Sequence, residues 1–214
     1  MTKVIYYNIV FMKYLIIAPH ADDELLGCGG TVNKLLRSGE EVYLLVCSTR
    51  HNDLAKYKDV FSLFTDYYEL PFEDEKLHRY NLLKAIEPIY NNIKPDTIFI
   101  PNKDDFNLDH QEVYEACQVV LRRFQTHQPR EILMYEVPSS TTQSFKNNFK
   151  CNYYIELNDA DIKFKVNNFM KYINEIRDYP NPRNEEGILT YAKFRGMECN
   201  AKFAEGFNLI YKKI

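Results

Sequence analysis

Short, uniformly apolar runs alternate with amphipathic stretches along most of the chain. The run YLIIA at Tyr14–Ala18 is typical of a strand buried on both faces of a parallel sheet, and EVYLLVC at Glu41–Cys47 repeats the pattern. Between them, Glu24–Ser38 carries apolar residues at helical spacing and stops at Gly39, a residue common at helix C-termini. The pattern therefore predicts a strand, a helix and a second strand.

The same alternation continues towards the C-terminus. It predicts further strands at Val4–Phe11, Asp66–Leu70, Thr97–Ile100, Glu131–Val137, Asn152–Leu157 and Asn208–Lys212, and helices at Asp53–Phe64, Leu77–Ile93, Gln111–Phe124, Asp161–Arg177 and Glu185–Ala201. Such alternation favours a Rossmann-like, doubly wound α/β fold, in which helices flank a mostly parallel sheet. A length of 214 residues without repeats fits a single domain over 1–214. Met12 can equally be the natural start, which would make residues 1–11 an N-terminal extension.

Composition narrows the range of partners. The net charge is −3 and no block of Lys and Arg is present, so we expect neither nucleic-acid binding nor docking to an anionic membrane. The apolar N-terminal region is interrupted by Asn8 and Lys13 and is too short to span a bilayer, so we expect no membrane insertion. The five cysteines show no CxxC pair, which favours free thiols and a cytoplasmic location.

Polar residues are concentrated where two predicted strands end. The run His20–Glu24 follows the first buried strand, and Asp109-His110 comes soon after the Thr97–Ile100 strand. Acidic residues ahead of a helix are also favoured simply because they cap it and interact with its dipole. Ligands of open α/β sheets, however, bind outside the carboxyl ends of the strands. Two such segments at that edge therefore favour a functional site over two helix caps.

The residue types in these segments suit a metal ion. His20 and Asp23 can converge on a metal from one turn, and Asp109-His110 can supply a third ligand, while Asp22 remains beside the metal. Two histidines and one carboxylate, with one position left open, are typical of catalytic zinc. Such an ion lowers the pKa of bound water and polarises a carbonyl group. Fe²⁺ can use the same ligands.

These residues also carry a family resemblance. Ala18–Glu24 followed by Gly27–Gly30 resembles the first motif of the PIG-L/LmbE-like zinc-dependent N-acetylglucosaminyl deacetylases, which is a strand, an (A/P)HPDDE loop and a glycine-containing helix. The second motif of that family, HxDH, corresponds to Asn107–His110. Similar C-terminal segments lie at Tyr179–Arg183, Phe194–Gly196 and Phe203–Phe207. The resemblance thus covers the chain from about Met12 onwards.

The resemblance implies a function and a role for each matching residue. His20, Asp23 and His110 would bind one zinc ion, and Asp22 would act as the general base that takes a proton from the attacking water. Asp109 would orient a metal ligand or a group facing the substrate. The substrate would be a small amino sugar or amino-sugar conjugate, and hydrolysis would release acetate and a free amine.

Three positions depart from the family pattern. Ala21 replaces the proline of the first motif, and Asn181 stands where many relatives carry a histidine. Asn107 replaces the first histidine of HxDH, whose expected role is to stabilise the oxyanion or to protonate the leaving amine. An asparagine can donate a neutral hydrogen bond to an oxyanion but cannot deliver a proton. Asp22, once protonated, is then the best candidate for the proton donor.

Four further residues could approach the site, and three of them are predicted to bind substrate. Arg50 and His51 follow the second strand, where they either contact substrate or belong to a solvated loop. Arg183 and Glu186 match family positions and either approach the site or form a structural ion pair. We therefore predict Arg50, His51 and Arg183 as substrate-binding residues.

The predicted function is a zinc-dependent N-deacetylase, and two alternatives stay open. One is a catalytically impaired relative that keeps the metal site and binds carbohydrate or regulates. The other is a hydrolase of a different small amide. An oligomer is compatible with the sequence.

Overall fold

Strands and helices alternate along the part of the chain that the computed structural model describes, residues 11–48, 54–146 and 149–214. The elements, in chain order, are β1 (Lys13–His20), α1 (Asp23–Arg37), β2 (Glu41–Ser48), α2 (Leu54–Phe61), β3 (Asp66–Glu69), α3 (Arg79–Ile93), β4 (Thr97–Pro101), α4 (Leu108–Val120), β5 (Glu131–Tyr135), β6 (Tyr153–Leu157), α5 (Asp159–Phe169), α6 (Glu185–Glu198) and β7 (Phe203–Lys212). A short 3₁₀ helix, Ile173–Glu175, lies between α5 and α6.

One mixed sheet organises the fold. Its strand order is β3-β2-β1-β4-β5-β7-β6. Strands β1 to β5 run parallel to one another, whereas β7 is antiparallel to both β5 and β6. The prediction of a doubly wound, mostly parallel α/β sheet is therefore confirmed. The chain builds outwards from β1 on one side and returns to β4 on the other. This reversal creates a crevice at the carboxyl ends of β1 and β4.

The apolar core lies on both faces of the sheet. Ile16 and Ala18 of β1 pack in the layer that contains α1, α5 and α6, while Leu15 and Ile17 pack in the layer that contains α3 and α4. All four side chains are buried. Burial on both faces is the physical reason why the sequence of β1 is continuously apolar rather than alternating.

The largest departure from the predicted elements is the helix expected at Asp161–Arg177. The structure ends α5 at Phe169 and begins it at Asp159, where the side chain of Asn158 caps the helix in a capping box with Asp161. The chain then turns inwards, and Tyr172 and Glu175 become buried next to the candidate site. Tertiary contacts therefore override the helical pattern beyond Phe169.

Two other segments need comment. The last strand begins at Phe203 instead of the predicted Asn208, because its first part, Phe203–Phe207, pairs with β6 before Phe207–Lys212 pairs with β5. The predicted strand at Val4–Phe11 lies almost wholly outside the described residues.

Two features bear on the environment of the protein. Of the helices in the described ranges, none combines the length and the apolar character that crossing a lipid bilayer requires. All five cysteines are free thiols; Cys28, Cys47 and Cys117 are buried, and Cys151 and Cys199 are half-buried.

Candidate metal centre

The turn from β1 into α1 carries the first group of candidate residues. His20 is the last residue of β1, opposite Ser48 of β2, and its backbone N–H donates to Asp23 Oδ2 at 3.0 Å. Asp22 is the N-cap residue of α1 and Asp23 is the first residue of the helix. All three side chains are fully buried. The polar residues that follow the apolar part of β1 therefore lie at the crevice between the carboxyl ends of β1 and β4.

His110 reaches the same point from the connection between β4 and α4. It lies in the first turn of α4, which begins at Leu108 and not at the predicted Gln111. Asp23 Oδ2 is 3.1 Å from His110 Nε2 and 3.3 Å from His20 Nδ1. One donor atom from each of the three residues lies within 4.8 Å of the other two. The structure therefore brings together the three side chains predicted as metal ligands, which we call the triad.

The donor atoms of the triad fit a divalent cation. Within the described part of the chain, His20 Nδ1, Asp23 Oδ1 and His110 Nε2 have no hydrogen-bond partner, and all three are buried. A buried polar atom left without a partner costs about 1–3 kcal/mol, so folded proteins rarely leave several in one place. Two imidazole nitrogens and a carboxylate are also the protein ligands of many catalytic zinc ions. The chemistry of the residues present thus matches a bound metal.

The charges around the triad favour a cation as well. Burial lowers the pKa of His110, but Asp23 and Asp105 outweigh burial and raise it to about 9. Burial also lowers the pKa of His20, yet Asp109 and Asp23 raise it well above its ordinary value. Burial raises the pKa of Asp23, whereas the two histidines more than compensate and hold it well below its usual range. Negative charge therefore surrounds both imidazoles.

Each imidazole has a carboxylate at its second ring nitrogen. His20 Nε2 lies 2.9 Å from Asp109 Oδ2 and 2.9 Å from Asp74 Oδ1. His110 Nδ1 lies 3.2 Å from Asp105 Oδ2. Carboxylates in this position fix the ring orientation of metal-binding histidines and raise their basicity. The position of Asp109 is compatible with the orienting role that the resemblance implies.

Asp22 is held beside the triad in an unusual backbone conformation. Its φ of 124° and ψ of −29° are rarely adopted by residues with a side chain, and such strain typically costs about 1–3 kcal/mol and is concentrated at functional sites. Its backbone N–H donates to Glu24 Oε2 at 2.9 Å. Arg183 Nη1 lies 3.1 Å from Asp22 Oδ2. The carboxylate predicted as the general base thus contacts a guanidinium group, and Asp22 directly precedes Asp23 of the triad.

Asn107 has a structural task in addition to any chemical one. Its Oδ1 accepts a hydrogen bond from the backbone N–H of Asp109 at 2.9 Å and thereby caps α4. Its own backbone N–H donates to Asp105 Oδ1 at 2.8 Å. The side chain is half-buried, and its Nδ2 makes no hydrogen bond to the described residues. The capping contact leaves the amide N–H group of the side chain as a donor.

The structure describes only one of the three residues predicted to bind substrate. Arg50 and His51 lie outside the described residues. Arg183 does approach the site, where its guanidinium contacts Asp22 and also donates to Glu175 Oε2 at 2.7 Å. Glu186 is exposed in the first turn of α6 and forms no ion pair with a described residue. Arg183 therefore combines proximity to the site with a structural ion pair.

Asn181, the position that departs from the family pattern near the C-terminus, shapes the segment that carries Arg183. Its Oδ1 accepts a hydrogen bond from the backbone N–H of Arg183 at 3.0 Å. Ala21, the other departure near the triad, donates its backbone N–H to the carbonyl of Ser48 at 3.2 Å. A proline at that position has no such donor.

Several residues near the triad are missing from the sequence prediction. Asp105 contacts His110 and is itself fixed by the hydroxyl groups of Ser140 and Thr141, at 2.8 and 2.6 Å. Its place in the β4–α4 connection, two residues before Asn107, is a signal that sequence reasoning could have used. Asp74 reaches His20 from the segment between β3 and α3, and no local pattern marks it.

The remaining unpredicted contacts come from the segment after α5. Tyr172 donates its hydroxyl to Glu24 Oε1 at 2.5 Å, and Glu175 accepts from Arg183. Burial raises the pKa of Glu24 to about 8, even though the hydrogen bonds from Tyr172 and from Asp22 N–H lower it. Tyr172 lies 148 positions from Glu24, the residue of the first motif that it contacts.

The sequence matches a known family over the half of the chain that contains the triad. Residues 15–121 match the family described as GlcNAc-PI de-N-acetylase, or PIG-L. A relative in Escherichia coli (strain K12), the uncharacterized deacetylase YaiS, is 27% identical over 143 residues, which cover 59% of this chain and 74% of YaiS.

Solved structures share the whole fold at low sequence identity. The N,N'-diacetylchitobiose deacetylase of Pyrococcus horikoshii superimposes with a TM-score of 0.75 at 19% identity, over 92% of this chain and 83% of that one. GalB, the 4-carboxy-2-hydroxymuconate hydratase of Pseudomonas putida KT2440, gives 0.74 at 13% identity, over 95% and 98%. These likenesses establish the fold alone, because one fold can serve different reactions.

Proposed function

Because this chain belongs to the GlcNAc-PI de-N-acetylase (PIG-L) family, we propose that it is a metal-dependent hydrolase that removes the N-acetyl group of an amino sugar or amino-sugar conjugate. The observation that carries the proposal is the buried triad of His20, Asp23 and His110, together with Asp22, which is buried at the same turn and directly precedes Asp23. The names of two similar proteins, a deacetylase and a diacetylchitobiose deacetylase, support this reaction class.

The triad would hold the metal ion. His20 Nδ1, His110 Nε2 and the carboxylate of Asp23 are the donor atoms, and zinc is the ion that this set suits best. When bound, zinc supplies Lewis-acid activation of the attacking water and of the amide carbonyl. Because imidazole and carboxylate ligands also suit iron, the same side chains can hold Fe²⁺. Asp109 and Asp105 would keep the two rings in their binding orientation.

Asp22 would move the proton. Its carboxylate accepts a proton from the attacking water as the water oxygen bonds to the acetyl carbon. The same carboxyl group then passes this proton to the sugar nitrogen as the carbon–nitrogen bond breaks, so that acetate and a free amine leave. Arg183 places a positive charge 3.1 Å from Asp22 Oδ2 and helps to hold that oxygen in place.

Asn107 would stabilise the negative charge that develops on the carbonyl oxygen. Its Oδ1 is engaged in capping α4, which orients the side chain and leaves Nδ2 to donate a hydrogen bond. Arg50, His51 and Arg183 are the side chains proposed to contact the substrate. We place the reaction in the cytoplasm, because five free cysteines suit a reducing compartment.

A release assay tests the proposal directly. Purified protein loaded with zinc is incubated with N-acetylglucosamine, N,N'-diacetylchitobiose and lipid or nucleotide conjugates of N-acetylglucosamine, and acetate and free amine are measured together. We expect equal amounts of both products, and we expect Asp22→Asn to lower the rate about 10²- to 10⁴-fold while retaining its zinc. If the zinc-loaded protein releases neither product from any amide, the hydrolase proposal is wrong.

One observation favours a second candidate, a relative that binds carbohydrate without turning it over. Position 107 carries an asparagine that caps a helix, so the site lacks the imidazole that the resemblance leads us to expect there. Under this alternative, calorimetry would detect zinc-dependent binding of N-acetylated sugars, and Asp22→Asn would leave that binding unchanged. Release of acetate by the wild-type protein excludes it.

A further inference from the structure

A buried chain of hydrogen bonds joins the segment after α5 to the backbone of Asp22. The hydroxyl of Tyr172 donates to Glu24 Oε1 at 2.5 Å, and Glu24 Oε2 accepts from the backbone N–H of Asp22 at 2.9 Å. The side chains of all three residues are fully buried. Glu24 therefore links a residue 148 positions away to the amide of the proposed general base.

Asp22 depends on such contacts because its backbone conformation is strained. Its carbonyl oxygen accepts hydrogen bonds from the backbone N–H groups of Leu25 and Leu26, at 3.1 and 2.9 Å, which tie it to the start of α1. The contact from its N–H to Glu24 holds the other side of the same residue. A residue with φ near 124° keeps that conformation only where its surroundings hold it.

Tyr172 is well placed to anchor this arrangement. Its ring packs against Tyr57, with centroids 4.8 Å apart, and against Phe169, with centroids 6.4 Å apart. Because these rings belong to the apolar core, the hydroxyl of Tyr172 is held in one place. The position of Glu24, and through it the amide of Asp22, is thereby set by the packing around Tyr172.

The same segment reaches Asp22 a second time, through its side chain. Glu175, three residues after Tyr172, accepts from Arg183 Nη1 at 2.7 Å, and this nitrogen lies 3.1 Å from Asp22 Oδ2. The backbone and the carboxylate of Asp22 are therefore both held by residues that follow α5.

We propose that Tyr172, acting through Glu24, is a positioning residue that fixes the backbone of Asp22 for proton transfer. This inference rests on the proposed function, since it assigns Tyr172 to the geometry of the same reaction. Tyr172 touches neither the triad nor the substrate in this role. A purely structural tyrosine would instead stabilise the fold without a specific effect on Asp22.

Removing only the hydroxyl group tests the proposal. Tyr172→Phe keeps the ring in the core, and Tyr90→Phe is its matched control, because the hydroxyl of the buried Tyr90 likewise makes one hydrogen bond, to the carbonyl of His127 at 2.6 Å. We expect both variants to lose similar thermal stability. Only Tyr172→Phe should lower kcat, by about tenfold, with KM and zinc content unchanged.

Two further measurements separate positioning from general damage. In the Asp22→Asn background, Tyr172→Phe should cause no additional loss of kcat, because the group that it positions no longer acts. Hydrogen exchange at the backbone amide of Asp22 should become about tenfold faster in Tyr172→Phe and stay unchanged in Tyr90→Phe. The exchange measurement does not require turnover, so it decides the positioning role even if the wild-type protein hydrolyses nothing and the proposed function fails.

The proposal is overturned if exchange at Asp22 in Tyr172→Phe equals that in Tyr90→Phe. It is also overturned if an active enzyme shows the same loss of kcat for both variants, or an undiminished loss in the Asp22→Asn background.

Discussion

Two regions of this protein bury several charged groups, and they differ in how completely those groups are hydrogen-bonded. One is the triad with its surrounding carboxylates. The other, which we call the ion-pair cluster, is formed by Lys165 of α5, Glu205 of β7, Glu136 after β5 and Arg195 of α6. All of these side chains are less than a tenth exposed.

The ion-pair cluster is satisfied by hydrogen bonds. Lys165 Nζ donates to Glu205 Oε1 and to the carbonyl of Leu26, at 2.6 and 2.8 Å. Glu205 also accepts from the backbone N–H groups of Gly30 and Thr31 in α1, at 2.9 and 2.7 Å.

The guanidinium of the same cluster is equally well paired. Arg195 binds Glu136 through two nitrogens, at 2.6 and 2.7 Å. This two-point geometry is among the strongest pairings of side chains.

The triad differs from this cluster. Buried atoms that could bind a metal, one from each of His20, Asp23 and His110, lack hydrogen-bond partners among the described residues. Burying charge is costly, and full hydrogen bonding compensates for that cost in a structural cluster. Where such compensation is missing, as in the triad, the unpartnered atoms remain able to bind a metal ion. The comparison teaches that incomplete pairing, rather than burial or charge, distinguishes the proposed metal site from the ion-pair cluster.

The largest expected effect comes from removing a triad ligand. His110→Ala should lose its zinc and lower deacetylation at least about 10³-fold, because the ion activates both the water and the carbonyl. The variant should still fold but with lower stability, because Asp23 and Asp105 each lose a contact with the buried imidazole, at 3.1 and 3.2 Å. Metal content is measured by mass spectrometry after dialysis.

His78→Ala is the control for this prediction, because His78 is an exposed residue ahead of α3. It should keep the zinc content and activity of the wild type. Wild-type zinc content in His110→Ala would contradict the assignment of the triad.

Substitution in the ion-pair cluster should lower stability and leave metal binding intact. Lys165→Met leaves Glu205 buried without its cation, and we expect the free energy of unfolding to fall by about 3–5 kcal/mol while zinc content stays unchanged. Urea denaturation in the presence of a chelator measures this without a contribution from the metal.

Lys202→Met provides the matched comparison, because Lys202 pairs with Asp159 on the exposed surface. Its loss should have no measurable effect on stability. If Lys165→Met instead abolished zinc binding without destabilising the fold, the distinction between the two regions would not hold.

Substitution of Asn107 should affect both stability and activity, and each of these effects should be smaller than those above. Asn107→His removes the cap of α4, which should lower stability by about 1 kcal/mol, and it restores an imidazole, which should raise kcat up to about tenfold. Asn107→Ser keeps a capping oxygen without an imidazole, so stability should be retained and kcat should not rise. An unchanged kcat in Asn107→His would show that the missing histidine does not limit the rate.

Local pattern was sufficient for much of the fold. The apolar run of β1 and the helical spacing of α1 reflect burial that neighbouring residues impose, so both elements could be predicted within a few residues of their bounds. The helix expected at Asp161–Arg177 was wrong beyond Phe169 for the opposite reason. Contacts of Tyr172 with a distant glutamate, which no local period records, compete with helix formation there.

The sequence by itself determined which residues could bind a metal, because His20 and Asp23 share one turn and His110 follows a strand that a parallel sheet must place nearby. Only the tertiary structure decided how those residues are held. It set Asp109 against His20 and Asp105 against His110, and it brought Tyr172 and Arg183 to Asp22. Ligand identity is a property of short segments, whereas the geometry of the groups around them depends on side chains that meet only when distant elements pack together.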